Sequence, residues 1–178
     1  ITANAATSPN GAVSADKLVE GITIENQSVY RVVNYTATAH SYSVRVKNAG
    51  RNFIWIRASH SSSAFSGAFF NLTTGEITGV SNCTASVVAL SNGWFECRIV
   101  YTPTTAVAGY VYVYIRDTPT IPPYLGDGTS GIYIWGAQLE QGPTALPYQR
   151  NDGNLGGVAT GASTDLHWLE TDGVDDGM

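Results

Sequence analysis

From about residue 29 the chain runs in short stretches of alternating apolar and polar residues, divided by polar or glycine-containing breaks. Period-two alternation places every second side chain on the same face of a strand. The stretches 29–35, 40–47, 52–59, 66–72, 76–80, 84–90, 94–102, 109–116 and 131–140 are therefore predicted strands. In 40–47, Tyr42, Val44 and Val46 face one way, and Ser43, Arg45 and Lys47 the other. In 109–116, Val111, Val113 and Ile115 oppose Tyr110, Tyr112, Tyr114 and Arg116. One apolar and one polar face per strand implies antiparallel sheets with a dry side and a wet side. Eight or nine such strands predict an all-β fold, an antiparallel β-sandwich of the jelly-roll type. No stretch reads convincingly as a helix, and no repeat of solenoid or propeller length occurs.

The breaks have their own chemistry. Asn48-Ala49-Gly50, Thr73-Thr74-Gly75 and Asn92-Gly93 each place Gly or Asn where a tight turn needs positive φ, so each is expected to close a hairpin. Pro119, Pro122 and Pro123 mark 117–130 as a loop. Residues 7–16 are rich in turn formers. After Pro147 the composition shifts, which divides the chain into a sandwich module at 1–148, a Gly/Ala/Thr-rich linker at 149–164 and an acidic tail at 165–178. The chain opens at Ile1 without a signal-peptide pattern and reads as an excised or processed piece.

Composition supports the strand reading. Gly and Thr number 19 each, Val 16 and Tyr 10, while charged residues are only 13%, a mix that excludes a coiled coil or helical bundle. No run approaches about 18 apolar residues, so no membrane-spanning helix and no membrane insertion are expected. Charge is unevenly placed. Residues 151–178 hold six acids and no base, whereas 1–150 hold eight acids and all nine bases. A nearly neutral body lacks the clustered basic surface that nucleic acid requires. It suits uncharged or weakly charged ligands such as sugars.

Two cysteines flank the turn at 91–93. With a three-residue turn, position 87 faces 97 and position 83 faces 101, so Cys83 and Cys97 are not opposite and are expected to be free thiols, Cys97 buried. With only His40, His60 and His167 besides, no zinc spacing arises.

The chemistry-bearing candidates are aromatic. Phe53, Trp55 and Arg57 share one face of their strand, opposite Ile54 and Ile56. If that face lies on the same sheet as Tyr110, Tyr112, Tyr114 and Arg116, the two form a platform. Sugar rings stack their C–H faces on aromatic planes, and guanidinium groups donate paired hydrogen bonds to hydroxyls or carboxylates. On this reading Trp55, Arg57, Tyr112, Tyr114 and Arg116 are the ligand-binding residues and lie open to solvent. Replacing Trp55 would then abolish binding at little cost in stability. The other reading makes the same residues part of the sandwich packing. Trp135 is assigned to core packing. The eight carboxylates of the body form no recognisable acid/base pair, and nucleophile-elbow, H-E-x-x-H and phosphate-loop motifs are absent, so no catalysis is expected. Asp127-Gly-Thr-Ser-Gly131 reads as a turn, with a calcium loop as the alternative. Four N-x-S/T sequons, at Asn26, Asn34, Asn71 and Asn82, are not informative in a chain so rich in Ser and Thr.

Two longer stretches are more specific: Ser8-Pro-Asn-Gly-Ala-Val-Ser-Ala-Asp-Lys-Leu18 and Gly126-Asp-Gly-Thr-Ser-Gly-Ile-Tyr-Ile-Trp-Gly-Ala-Gln-Leu-Glu140. Together with Phe70-Asn-Leu-Thr-Thr-Gly75 and Asn92-Gly-Trp-Phe-Glu-Cys-Arg98, they resemble the carbohydrate-binding-module-like jelly rolls of tailed-phage tail, fibre and spike proteins and of related bacterial surface proteins. The resemblance covers about residues 1–148, and in that family the domain usually starts upstream of the stretch that Ile1 opens. It implies a non-catalytic module that binds a polysaccharide or cell-surface glycan beside neighbouring domains, in a virion appendage or outside the cell. No cofactor is required. A structural Ca²⁺ near the N-terminal segment and last strand is implied, with Asp16 and Glu140 the nearest ligands. Trp168-Leu-Glu-Thr-Asp-Gly-Val-Asp-Asp-Gly177 is similar to the opening of a concanavalin-like, laminin-G-type lectin domain. Two rival roles go with the same fold, a ligand-free structural spacer and an accessory domain of a polysaccharide-degrading enzyme.

Overall fold

In the computed structural model each of the nine runs is a strand, with ends within two residues of the sequence reading. The structure describes residues 1–60 and 64–149. Apart from Gln149, the expected linker and acidic tail lie outside them. In chain order the strands are β1 (Thr2–Thr7), β2 (Val13–Val19), β3 (Ile24–Glu25), β4 (Ser28–Tyr35), β5 (His40–Ala49), β6 (Phe53–Ser59) and β7 (Phe65–Asn71). There follow β8 (Ile77–Ser81), β9 (Thr84–Ala89), β10 (Trp94–Tyr101), β11 (Val107–Arg116), β12 (Tyr124–Leu125) and β13 (Gly131–Gln141). Among the described residues the only helical turn is the 3₁₀ turn Ser91–Gly93.

The strands form a six-stranded sheet, β1-β2-β13-β5-β10-β9, a five-stranded sheet, β4-β11-β6-β7-β8, and the small ribbon β12-β3. The pairs are antiparallel and nested: β2 with β13, β4 with β11, β5 with β10, and β6 with β7. That nesting is one long hairpin rolled up on itself, so the sandwich is a jelly roll. Consecutive strands β4, β5 and β6 alternate between sheets, and each turns its apolar positions to the interior. Tyr42, Val44, Val46, Cys97 and Ile99 from one sheet meet Ile54, Ile56, Phe70, Val111, Val113 and Ile115 from the other. Each such side chain contributes roughly 1.5–3 kcal/mol by leaving water.

Cys97 stands opposite Val87 as the turn length requires, and both cysteines are free. Cys83 donates to the Gly67 carbonyl at 3.3 Å, and Cys97 is buried in the core. The turns at Gly75 and at Asn92-Gly93 close the hairpins β7–β8 and β9–β10, with positive φ at all three residues.

Four expectations need correction. Asn48-Ala49-Gly50 closes no hairpin, because β5 and β6 lie in different sheets and the segment carries the chain across the sandwich. There Gly50, at φ +109°, forms a parallel bridge to Gly131, and a Cβ would stand 3.0 Å from the Ser130 Cα. Turn chemistry is local, whereas the choice of sheet is made by the partners waiting for β6. In the turn-rich stretch 7–16 only the tip is a turn, where Ser8 N–H donates to the Ala12 carbonyl. Beyond it β2 buries Ala15 and Leu18. The outward face of β5 is not wet either. Ser41, Ser43 and Arg45 are buried, and residues 142–149 fold back over the outer side of this sheet. Leu146 N–H donates to Glu140 at 2.8 Å, Gln149 N–H to the Gln138 carbonyl oxygen Oε1 at 3.0 Å, and Tyr148 packs on Trp135 at 4.5 Å between ring centroids. Trp135 thus packs outside the sheet, not in the core between the sheets.

Candidate functional site

The outer face of the five-stranded sheet carries the aromatic residues. Because β11 pairs with both β4 and β6, the registers lay them out in rows. Tyr30, Tyr112, Arg57 and Gly67 form one row, and Ser28, Tyr114, Trp55 and Phe69 the next. Val32, Tyr110, Ser59 and Phe65 make a third. Trp55, Arg57, Tyr112, Tyr114 and Arg116 therefore share one face, while Ile54, Ile56, Val111, Val113 and Ile115 fill the core behind it. The face assignment from alternation stands.

Openness to solvent does not stand for three of the five. Trp55 is 3% exposed, Tyr114 6% and Arg116 1%. The reason is lateral packing. Rings stand on edge and stack face to face, across strands for Phe69 on Trp55 at 5.3 Å and 11° and for Trp55 on Tyr114 at 5.1 Å and 27°, and along β11 for Tyr114 on Tyr112 at 5.1 Å and 19°. Two glycines leave room for the row. A Cβ on Gly67 would lie 3.0 Å from the Trp55 Nε1 and 2.5 Å from the Ile56 carbonyl oxygen. A Cβ on Gly79 would lie 2.8 Å from the Phe69 ring. Each aromatic pair contributes about 0.5–1.5 kcal/mol beyond its buried area. The faces a sugar would stack on are thus occupied by neighbouring rings at Trp55 and Tyr114. These two residues are packing, as the second sequence reading held.

The guanidinium groups complete the row. Arg57 lies over the rings of Phe65 at 4.8 Å and Trp55 at 5.4 Å, and Arg116 over Tyr114 at 4.9 Å and Trp55 at 5.8 Å. Arg116 donates from Nη2 to Asn26 at 3.0 Å, and its Nε and Nη1 are buried without an acceptor. Burial pushes its pKa down. Arg57 is half-buried, and its Nε also has no acceptor.

The row opens at the β4 edge. Tyr30 is 56% exposed and Tyr110 41%, with Val32 exposed beside them and Tyr112 half-buried. Here the rings are tilted or edge-on instead of stacked: Tyr30 to Tyr112 at 5.4 Å and 40°, Tyr30 to Tyr110 at 5.7 Å and 74°. Tyr30 and Tyr110 have no stacked partner, whereas Tyr112 turns one face to Tyr114. Sequence reasoning missed Tyr30, although it shares its strand face with Val32 and Asn34. The signal was an exposed-type aromatic in an alternating run, but that β4 lies beside β11 is a matter of topology.

The proposed calcium ligands are not brought together. Asp16 stands opposite Ile134 on β13, and Glu140 is six residues further along that strand, about 20 Å at the rise of an extended chain. Each carboxylate instead holds a chain segment: Asp16 accepts from Asn4 N–H at 2.9 Å, and Glu140 from Leu146 N–H. The Asp127 segment is a turn. Its carboxylate accepts from the Ser130 hydroxyl and from the N–H groups of Ser130 and Thr129, which hold its pKa well below the usual range. Nearby, buried Glu20 accepts from Arg51, from the Tyr124 hydroxyl at 2.6 Å and from Asp127 N–H at 2.7 Å. Among the described residues no three His, Cys, Asp or Glu side chains cluster to hold an ion.

At the far end of the sandwich, His40 and His60 are buried on either side of Tyr35 and Tyr101, whose hydroxyls lie 3.2 Å apart. His40 Nδ1 is 2.8 Å from the Thr38 carbonyl oxygen, and His60 Nε2 is 3.0 Å from the Ser66 hydroxyl. Burial lowers both imidazole pKa values and raises that of Tyr35 to about 12.

No family model matches the chain, and no curated protein matches it.

Proposed function

We propose that this protein is a non-catalytic glycan-binding module, seated in a virion appendage or another extracellular multi-domain protein, and that it binds through the outer face of the five-stranded sheet. One observation carries the reading: this face ends in an uncovered group of tyrosines, whereas the matching face of the other sheet is roofed by residues 142–149. Tyr30 and Tyr110 offer unstacked ring faces and hydroxyls at one edge, with the half-buried Tyr112 between them, the chemistry that pyranose rings require. The buried row Tyr114–Trp55–Phe69 is the rigid backing of that platform, since a preorganised surface loses little entropy on binding. The sequence resemblance to phage and bacterial carbohydrate-binding jelly rolls supports the same assignment. A non-catalytic role is supported by the carboxylates, because Asp16, Glu20, Glu96, Asp127 and Glu140 each hold a structural partner. Contacts of this kind are weak singly, and several copies along one appendage would add avidity.

The test is retention of the chain on a panel of immobilised polysaccharides. Tyr112→Ala and Tyr110→Ala should lose retention by tenfold or more while the fold persists by circular dichroism. No retention on any polysaccharide, or retention untouched by both substitutions, would leave the structural-spacer role in its place.

A further inference from the structure

The five strands of the open sheet contain three arginines, Arg31, Arg57 and Arg116, and not one aspartate or glutamate. The other large sheet carries both signs, and its two arginines are paired: Arg45 with Glu96 at 2.6 Å, and Arg98 with the same Glu96 at 2.7 Å. At the sandwich end Arg51 pairs with Glu20 and Asp127. Among the described residues Arg57 has no carboxylate partner and no acceptor for its Nε. It stands opposite Tyr112 in register, next to the open tyrosines. Arg116 is sealed beneath the rings, so Arg57 is the cation that the platform presents.

We infer that the ligand of the tyrosine platform is an acidic glycan, whose uronate or sialate carboxylate lies against the Arg57 guanidinium while a sugar ring rests on Tyr30 and Tyr110 beside Tyr112. This rests on the glycan-binding reading and narrows it, against the near-neutral charge of the body as a whole. A guanidinium held by aromatic faces is oriented in advance, and a charge-assisted hydrogen bond to a carboxylate is about twice as strong as a neutral one. A neutral sugar would leave the positive face uncompensated.

The experiment compares binding of the full chain to polygalacturonate, alginate and polysialic acid with binding to the same polymers after reduction of their carboxyl groups. Tighter binding to at least one acidic polymer than to its reduced form, by tenfold or more and weakening with added salt, is expected. Arg57→Gln should remove the difference, and Arg57→Lys should restore part of it. Arg98→Gln, on the opposite sheet, should leave it in place. Equal binding to acidic and reduced polymers overturns the inference and leaves the glycan reading standing. An equal loss in Arg98→Gln overturns it in favour of unspecific charge attraction. Binding to neither form, nor to any neutral polysaccharide, overturns both readings. The comparison between native and reduced polymer needs no variant, so it remains decisive if Arg57→Gln fails to fold.

Discussion

Replacing Trp55 by alanine separates the packing role of the aromatic row from its recognition role. The indole is 3% exposed and lies between the faces of Phe69 and Tyr114, with the guanidinium groups of Arg57 and Arg116 over its ring. Large-to-small substitution of a buried aromatic costs about 3–5 kcal/mol, the lost transfer energy plus the cavity left behind. Loss of the two cation–π contacts acts in the same direction, by roughly 0.5–2 kcal/mol each. It also leaves Arg116 buried with two unpartnered donors and one aromatic face fewer. Taking the lower figure of about 3–5 kcal/mol, the thermal midpoint should fall by roughly 6–20 °C, at about 2–4 °C per kcal/mol for a chain of this size. Guanidinium unfolding followed by far-ultraviolet circular dichroism measures the loss directly. Tyr110→Ala, at the exposed end, is the internal control and should change stability by less than about 1 kcal/mol. A Trp55→Ala protein within about 1 kcal/mol of the parent would refute the stacked row as a stabilising element. It would restore the view of Trp55 as an open binding residue.

Glu20→Gln should destabilise the chain by about 3 kcal/mol, since it leaves Arg51 facing a neutral group at a buried site and weakens the anchor of the 124–130 loop; chemical denaturation reads the change. His40 and His60 should titrate below the ordinary 6.5 in the folded chain, as nuclear magnetic resonance of the imidazole protons would report. As pH falls through about 6.5 the unfolded chain then takes up protons that the folded chain does not, so stability is full above that pH and is lost below it, levelling off once the folded-state histidines titrate. A midpoint of denaturation unchanged between pH 7.5 and pH 5 in the His40→Asn, His60→Asn double variant, against a falling one in the parent, would assign the effect to this pair. Burial raises the pKa of both thiols, Cys97 the more strongly, so Cys97 should react with a disulfide reagent only on unfolding and Cys83 only slowly; fast modification of both in the native chain would contradict the burial of Cys97 in the core and the seating of Cys83 against Gly67.

Alternation alone determined a good deal about this protein. It located nine strands, their inward faces at Tyr42–Val46, Ile54–Ile56 and Val111–Ile115, and the unbridged state of Cys83 and Cys97. These follow from period two and from turn length, which are properties of neighbouring residues. It also put Trp55 with Arg57, and Tyr112 with Tyr114 and Arg116, because residues two apart on a strand cannot do otherwise, while the pairing of β6 with β11 that joins the two faces is tertiary. Exposure was beyond its reach, since that depends on what stands on the adjacent strand. Trp55 is closed off by Phe69 of β7 and Tyr114 of β11, and space for its ring exists because β7 also places Gly67 beside it. Likewise Asn48-Ala49-Gly50 has the residues of a hairpin turn, yet it crosses between sheets, because β6 finds its partners in β7 and β11. Arg45 was read as a wet residue and is buried under a segment a hundred positions later in the chain. The open end of the platform was decided the same way: Tyr30 joins Tyr110 and Tyr112 only because the rolled hairpin lays β4 against β11, a pairing of residues about 80 positions apart that no local pattern encodes.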